Sequence, residues 1–388
     1  MLADTDAGSI VTAAQSGTIW GYKLLALQLI LIPILYIAQE LTVRLGIITK
    51  KGFSELIKQQ FGNFWAWFAV GTLAICCIGA IITELSGIAS VGALIGIPHW
   101  LSMIVSIIFL LWLILTRSYL TVERVALAIG AFELIYLFIA WQAQPSLNEI
   151  YQGFSNLPLN NGKYLYLCAA NIGAVIMPWM VFYQQSAVVD KQLNLENLPS
   201  SRLETIIGAI ITQIIMIAII IAAAATIGKT QHGQSLNNIQ QISDAFTPFL
   251  GETTGKLLFA LGMLGASLVA TIVVSLALAW SVGEICGFRR SLQDKPKEAP
   301  WFYGIYFVIL VIGGIIVASH AQLINLNIAI EVLNALLLPI ILLFLFVLVC
   351  KNLVNQHKLK LWYTIITGIA FFLISAVSVY SGVMGILS

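Results

Sequence analysis

Residues Asn171-Ile-Gly-Ala-Val-Ile-Met-Pro178 interrupt an apolar stretch that runs from about 164 to 189. Pro178 carries no amide hydrogen, and its ring clashes with the carbonyl four residues earlier, that of Ala174. Gly173, without a Cβ, makes the same turn easier to unwind. The stretch is therefore expected to be a helix broken near its middle. In hydrocarbon, carbonyls freed by a break persist only where they line a cavity or bind something. A break of this kind separates an ordinary spanning helix from one that carries a site.

The rest of the chain has the composition of a membrane protein. Of its 388 residues, 60% are hydrophobic and 9% charged, against roughly 25% charged in a soluble domain. Runs such as Ile207–Ile227 and Phe302–Ala318 carry no charge, long enough to cross roughly 30 Å of hydrocarbon. The apolar runs do not alternate, which excludes a barrel and leaves an all-α polytopic bundle. Eleven membrane elements are expected, near 7–19, 21–46, 62–92, 99–116, 119–142, 164–189, 203–228, 251–287, 301–319, 322–350 and 360–384. Placing the loop after the second element in the cytoplasm puts 15 of the 19 Lys and Arg residues on that side, Arg44, Lys58, Arg117, Arg202 and Lys360 among them. Only Lys23, Lys163, Lys229 and Lys256 lie opposite. This asymmetry orients the chain with its C-terminus outside. The five cysteines show no metal spacing and read as small apolar residues. Asp4 and Asp6 follow Met1 almost at once, so no cleavable signal peptide is expected.

A second break is expected at Asp4-Thr-Asp-Ala-Gly-Ser9, where acids and Gly8 abut the first apolar element. The two breaks are five elements apart, so the halves that carry them run in opposite directions. Interrupted helices at matching positions of inverted halves point to a midplane site in a secondary transporter. Asp6 is an ionisable group at such a point, and its hard carboxylate suits a cation. Ser9 adds a hydroxyl, Ala174 a released carbonyl and Met177 a thioether. Oxygen ligands alone suit Mg²⁺ or Ca²⁺, whereas sulfur favours softer transition ions. As plain structure, Pro and Gly would mean only a kink, and Met177 only a core residue.

The residues Asp6-Ala-Gly-Ser9 resemble the first-helix Asp-Pro-Gly-Asn motif of the NRAMP divalent metal transporters, and Ala174-Val-Ile-Met-Pro178 is similar to that family's sixth-helix Ala-x-x-Met-Pro motif. Trp20-Gly-Tyr-Lys-Leu-Leu and Arg44-Leu-Gly-Ile resemble its second-helix pattern. The resemblance implies a LeuT-like fold, a 5+5 inverted repeat with broken first and sixth helices plus an eleventh helix. Within one transmembrane domain over 1–388, repeat one would cover about 1–142 and repeat two about 164–350, with the extra helix at 360–384. It also implies import of Mn²⁺ or Fe²⁺ as substrate, with no resident cofactor, and Asp6, Ser9, Ala174 and Met177 as metal ligands. Gly8, Gly173 and Pro178 would form the breaks and gate. In the family a half-helix precedes the first break; here the break begins six residues from Met1, so that half is expected to be missing from the chain.

Several departures bear on mechanism. The family's sixth-helix histidines are replaced by Trp179 and, further on, Gln184; none of His99, His232, His320 and His357 lies in the sixth element. Of two third-helix acids, Glu84 is kept and Gly87 stands for the other, while Phe302 and Tyr303 replace a ninth-helix arginine pair. Asp4 is an acid that the family motif lacks. Asp4, Glu84, Trp179 and Gln184 are relay or supporting candidates, and Glu133, Glu284 and Glu331 are further intramembrane acids. A proton relay needs titratable groups in series, so proton coupling is expected to be weak or absent. The alternative is an uncoupled Mg²⁺ (and Mn²⁺) transporter of the related magnesium type. An organic-solute carrier of the same fold fits less well, because Asp6 would repel a substrate carboxylate. An enzyme would need a His cluster, a HExxH helix or a nucleophile with a base, and none is present. The expected partners are divalent metal ions and the lipid bilayer, with no nucleic acid. The expected location is a bacterial inner membrane. No oligomeric state is fixed, and a monomer is compatible with the pattern.

Overall fold

The computed structural model describes residues 4–116, 118–230, 235–236, 238–244, 251–319, 323–353 and 358–388. Arg117, His232, His320 and His357 lie outside them. Among the described residues the chain is helical throughout and has no strand. We label the helices α1 (Ala7–Trp20), α2 (Leu25–Thr49), α3 (Asn63–Leu94), α4 (His99–Ile114), α5 (Tyr119–Gly130), α6 (Gly162–Val175), α7 (Pro178–Asp190), α8 (Leu198–Ala225), α9 (Glu252–Cys286), α10 (Pro300–Ser319), α11 (Leu323–Asn352) and α12 (Leu361–Leu387). The eleven expected elements are all present, with α6 and α7 as the halves of the sixth. Among the described residues, nine apolar stretches are long enough to cross a membrane, with α1 and α2 forming one of them, and α4 is a shorter apolar helix.

Two junctions were not expected. Between α1 and α2 the chain turns through a 3₁₀ segment, Gly21–Leu24, and Gly21 has φ +59°, a left-handed conformation that suits a residue without Cβ. In the fifth element, α5 passes through a 3₁₀ turn at Ala131–Leu134 before continuing as Ile135–Gln142. This turn buries Glu133 while its neighbours Phe132 and Leu134 stay exposed. The loops hold short helices too, Phe53–Phe61 and Leu147–Ser155.

Helix pairings repeat with a period of five elements. The third element packs on the eighth, α3 on α9. The first packs on the seventh (α1 on α8), and its counterpart contact joins the sixth and second (α7 on α2). This is the contact pattern of two halves with like architecture. The first helix approaches α8 closely, because a Cβ at Gly17 would stand 2.3 Å from the Ile220 carbonyl.

The basic loops converge on one end of the bundle. Lys50 donates to the Leu193 carbonyl and to Asn194, Lys58 to the Ile285 carbonyl at 2.6 Å. Arg290 pairs with Glu55 at 2.8 Å and Lys191 with Glu123. Lys23 belongs to the opposite end, beside Trp20 and Tyr164. The charge segregation read from the loops is thus a segregation in space.

Glu284, on α9, belongs to this basic end and is an architectural residue. Its carboxylate accepts from the Ser54 amide (3.0 Å) at the start of the Phe53–Phe61 helix and from the Ser186 hydroxyl on α7. Gly52 leaves room for it, since a Cβ there would meet the carboxylate at 1.8 Å. Glu284→Ala leaves the buried Ser54 amide unpaired and is expected to remove about 1–3 kcal/mol of stability. A thermal unfolding series in detergent should show a lowered midpoint for Glu284→Ala and a smaller change for Glu284→Gln.

Candidate metal site

The first helix begins where an acid caps it. Asp6 is extended (φ −118°, ψ −179°), and its Oδ1 accepts from the Ser9 amide at 2.7 Å and from the Ser9 hydroxyl at 2.7 Å. This is a helix N-cap, satisfying one of the amides that the first turn leaves free. Among the described residues the second oxygen, Oδ2, is buried without a hydrogen-bond partner.

The sixth element breaks as its sequence requires. Ile176 (φ −116°, ψ +79°) and Met177 (φ −80°, ψ +135°) leave helical geometry, and Pro178 opens α7 at a position where no amide hydrogen is needed. The residue before a proline is pushed to extended backbone, which here is Met177. With no amide at residue 178, the Ala174 carbonyl takes its partner from another helix, the Ser9 hydroxyl at 2.9 Å. A hydroxyl has one hydrogen, yet Ser9 Oγ stands between two acceptors, Asp6 Oδ1 and the Ala174 carbonyl. The C-terminal, partially negative end of α6 therefore meets a carboxylate and a hydroxyl oxygen, a donor set that suits a cation. Ser9 thus stands directly between the two breaks.

Other candidates fall into three groups. Met177 lies at the break and is buried in the large apolar cluster that also holds Ile176, Trp179 and Met180. Glu84, from α3, reaches the first break: it accepts from the Ala7 amide at 3.1 Å, next in the chain to Asp6. Asp4, Trp179 and Gln184 instead line a cavity of about 200 Å³ that runs past Gln39 to Glu123 and Lys191 at the basic end. Asp4 is bonded to Gln39, whereas Trp179 Nε1 and Gln184 Oε1 are buried without partners among the described residues. The structure thus groups Glu84 with Asp6 and places Trp179 and Gln184 along the cavity wall. The acid expected near residue 87 has no room, since a Cβ at Gly87 would meet Ala7 at 2.7 Å and Ser267 at 2.5 Å.

Glu331, on α11, was not assigned to the site from the sequence. A Cβ on Gly8 would meet its Oε1 at 2.1 Å, and a Cβ on Gly173 would meet its carbonyl at 1.9 Å. The glycine of each break therefore lets the chain close on this one residue. Its Oε2 accepts from Asn334 at 3.1 Å. Glu133 was named only as an intramembrane acid; both its oxygens are buried without hydrogen-bond partners among the described residues. The signal available was an acid inside an apolar run, which marks function without giving a location. A polar network on the opposite side of the break joins three helices: Gln28 donates to Asn171 at 2.6 Å, and Asn171 to Ser16 at 2.8 Å. No group of three or more His, Cys, Asp and Glu side chains among the described residues forms a metal cluster. A metal here would need hydroxyl, carbonyl or thioether donors as well.

A bundle whose first and sixth elements break against each other has the fold of inverted-repeat secondary transporters. The structure is similar to the crystal structure of the Eremococcus coleocola manganese transporter in complex with an aromatic bis-isothiourea substituted compound, with a TM-score of 0.77 at 19% identity, covering 100% of this chain and 86% of that one. It is similar at lower score to MHP1, a nucleobase-cation-symport-1 family transporter, with a TM-score of 0.60 at 14% identity, covering 100% and 88%. The fold is LeuT-like. The chain belongs to the Natural resistance-associated macrophage protein-like (Nramp) family, whose profile matches residues 1–384. Among curated relatives it is 28% identical over 291 residues to the divalent metal cation transporter MntH of Bradyrhizobium diazoefficiens, covering 70% of this chain and 63% of that protein. It is 26% identical to MntH of Deinococcus radiodurans, covering 71% and 65%. The chain thus spans less than two thirds of the length of either relative.

The two break glycines respond differently to a methyl group. At Gly173 the obstacle is backbone, so Gly173→Ala must separate α6 from α11, an overpacking of about 1–3 kcal/mol. At Gly8 it is the end of a side chain, which can move. The expected outcome is a larger fall in thermal midpoint for Gly173→Ala than for Gly8→Ala.

Proposed function

We propose that the chain is a secondary transporter that imports divalent metal ions, Mn²⁺ or Fe²⁺ foremost, through a site between the two helix breaks. Asp6, Ser9, the Ala174 carbonyl and Met177 are the ligands in this reading, with Glu84 and Glu331 supporting them. The carrying observation is the Ser9 hydroxyl, which joins the Asp6 carboxylate of one break to the Ala174 carbonyl of the other. The names of the MntH relatives support the substrate class. The basic end of the bundle is read as cytoplasmic, with the C-terminus outside and the chain in a bacterial inner membrane acting as one transport domain. Asp6→Ala should reduce Mn²⁺ uptake into proteoliposomes by at least about 100-fold, and Ser9→Ala by about tenfold. Uptake by Asp6→Ala at the wild-type rate would refute the site.

A second reading, Mg²⁺, is favoured by the oxygen-rich surroundings, where Glu84 and Glu331 add hard carboxylates. The Met177 thioether weighs the other way, because a hydrated Mg²⁺ gains little from sulfur. Cd²⁺ should compete with Mn²⁺ in the wild type and lose most of that advantage in Met177→Ala. Equal competition in both proteins would favour the magnesium reading.

Transport is proposed to proceed without obligatory proton coupling, since the sixth element offers no histidine for a relay. Binding itself is a separate matter. Carboxylate ligands bind a metal in their deprotonated form, so protons compete with the metal for them. Mn²⁺ affinity should therefore fall as pH is lowered, measured by calorimetry, while a pH dye inside the vesicles reports no robust metal-driven acidification. Such acidification would overturn the uncoupled reading.

A further inference from the structure

At the basic end, the last turns of α2, the start of α8 and the start of α12 enclose a cavity of about 440 Å³. Four cations line it, Arg44, Arg202, Lys358 and Lys360, with one acid, Glu40. Glu40 is buried, and its Oε1 accepts from Arg44 Nε (3.0 Å) and Nη2 (2.6 Å) and from Arg202 Nε (2.8 Å). Its Oε2 lies 3.5 Å from the Tyr363 hydroxyl, and the Arg44 guanidinium stands 5.9 Å from that ring's centre. A single carboxylate thus fixes two guanidinium groups from different helices without using up their donors. Among the described hydrogen bonds, Arg44 Nη1 and both Nη atoms of Arg202 remain available. One acid against four bases leaves the cavity with a formal charge of +3.

Charges that serve only to orient a chain are dispersed and solvated. Here they converge on a concavity, and two of them are held in place by a buried partner. A net positive cavity repels metal ions, so it is no part of the transport path proposed above. Its chemistry fits an oxyanion with several acceptor oxygens, because forked guanidinium donors match phosphate geometry. Its surroundings say where that phosphate comes from. Trp362 is 59% exposed at the rim, and Arg202 is 39% exposed. Apolar faces run on from the cavity along the bundle: Ile365, Ile369 and Phe372 on α12, and Ile206 and Ile210 on α8, are all exposed. In a spanning bundle such faces meet acyl chains, and an exposed Trp at a helix start marks the headgroup level. Basic pockets between spanning helices on the cytoplasmic side are suited to anionic headgroups.

We propose that this pocket binds the phosphate of an anionic phospholipid, with Arg202, Lys358 and Lys360 contacting the headgroup and Glu40 positioning Arg202 and Arg44. The lipid would bridge α2, α8 and α12 and tie the eleventh element to both repeats.

Native mass spectrometry of the full chain, delipidated and then mixed with phosphatidylglycerol or phosphatidylcholine, tests this. The wild type should retain one phosphatidylglycerol in preference to phosphatidylcholine. Lys358→Gln with Lys360→Gln, and separately Arg202→Gln, should weaken that retention by about tenfold. The two lysine changes are at exposed positions, so an unchanged thermal midpoint without lipid verifies that the fold is intact. Inorganic phosphate is the second arm, added to delipidated protein. Equal retention of both lipids, or retention unaffected by the substitutions, would overturn the proposal. So would stabilisation of wild type by inorganic phosphate alone to the level reached with phosphatidylglycerol, which would assign the pocket to a soluble anion.

Discussion

The Ser9 hydroxyl, 2.7 Å from the Asp6 carboxylate and 2.9 Å from the Ala174 carbonyl, is the contact that joins the two breaks of this bundle. Inside a bilayer a carbonyl released by proline has no water to turn to. Pro178 releases the Ala174 carbonyl, and the chain answers from another helix. Pro33 and Pro339 make the comparison: both lie inside α2 and α11, which continue through them. Proline alone therefore does not break a helix here. What distinguishes Pro178 is the extended pair Ile176 and Met177 before it, with the Asp6 and Ser9 cap of α1 placed opposite. Each break supplies what the other lacks, one a carbonyl acceptor and the other a hydroxyl donor.

Electrostatics sets the second constraint. Asp6, Glu84, Glu133 and Glu331 are all buried, and the ion pairs among the described residues lie elsewhere, on Glu40, Glu55 and Glu123. Burying carboxylates without a counterion is costly. A bundle that keeps them has reason to attract a cation or a proton to the same place. Gly8 admits the Glu331 carboxylate beside Asp6, and Gly173 lets the Glu331 backbone close on the sixth-element break. The same chain treats its other acids differently. Glu284 caps a loop helix, and Glu40 is committed to two arginines.

Local chemistry was legible in the sequence, and contacts between distant elements were not. The span count, the charge asymmetry and the sixth-element break follow from hydropathy, loop charges and Pro178, each a property of a few neighbouring residues. Asp6, Ser9 and Ala174 were also legible, because each sits at a recognisable break. Glu331 and Glu133 could be seen as acids in apolar runs, but nothing near them in the chain says which helix they face. The 3₁₀ turn that buries Glu133 follows Gly130 without any proline to announce it. The reason for Gly87 likewise lies outside its own helix, in the approach of Ala7 and Ser267. The helix Phe53–Phe61 is hard to read from sequence, because its apolar face is short and its charges resemble those of a loop.

The two breaks together are proposed to form one metal site. Crystals grown with Mn²⁺ and measured at the manganese absorption edge would locate the ion by its anomalous scattering. The expected result is a peak between the Asp6 carboxylate and the Ala174 carbonyl, within reach of Ser9 and Met177, and its loss in Asp6→Ala. A well-ordered structure in which manganese sits elsewhere, with no peak between the breaks, would contradict it.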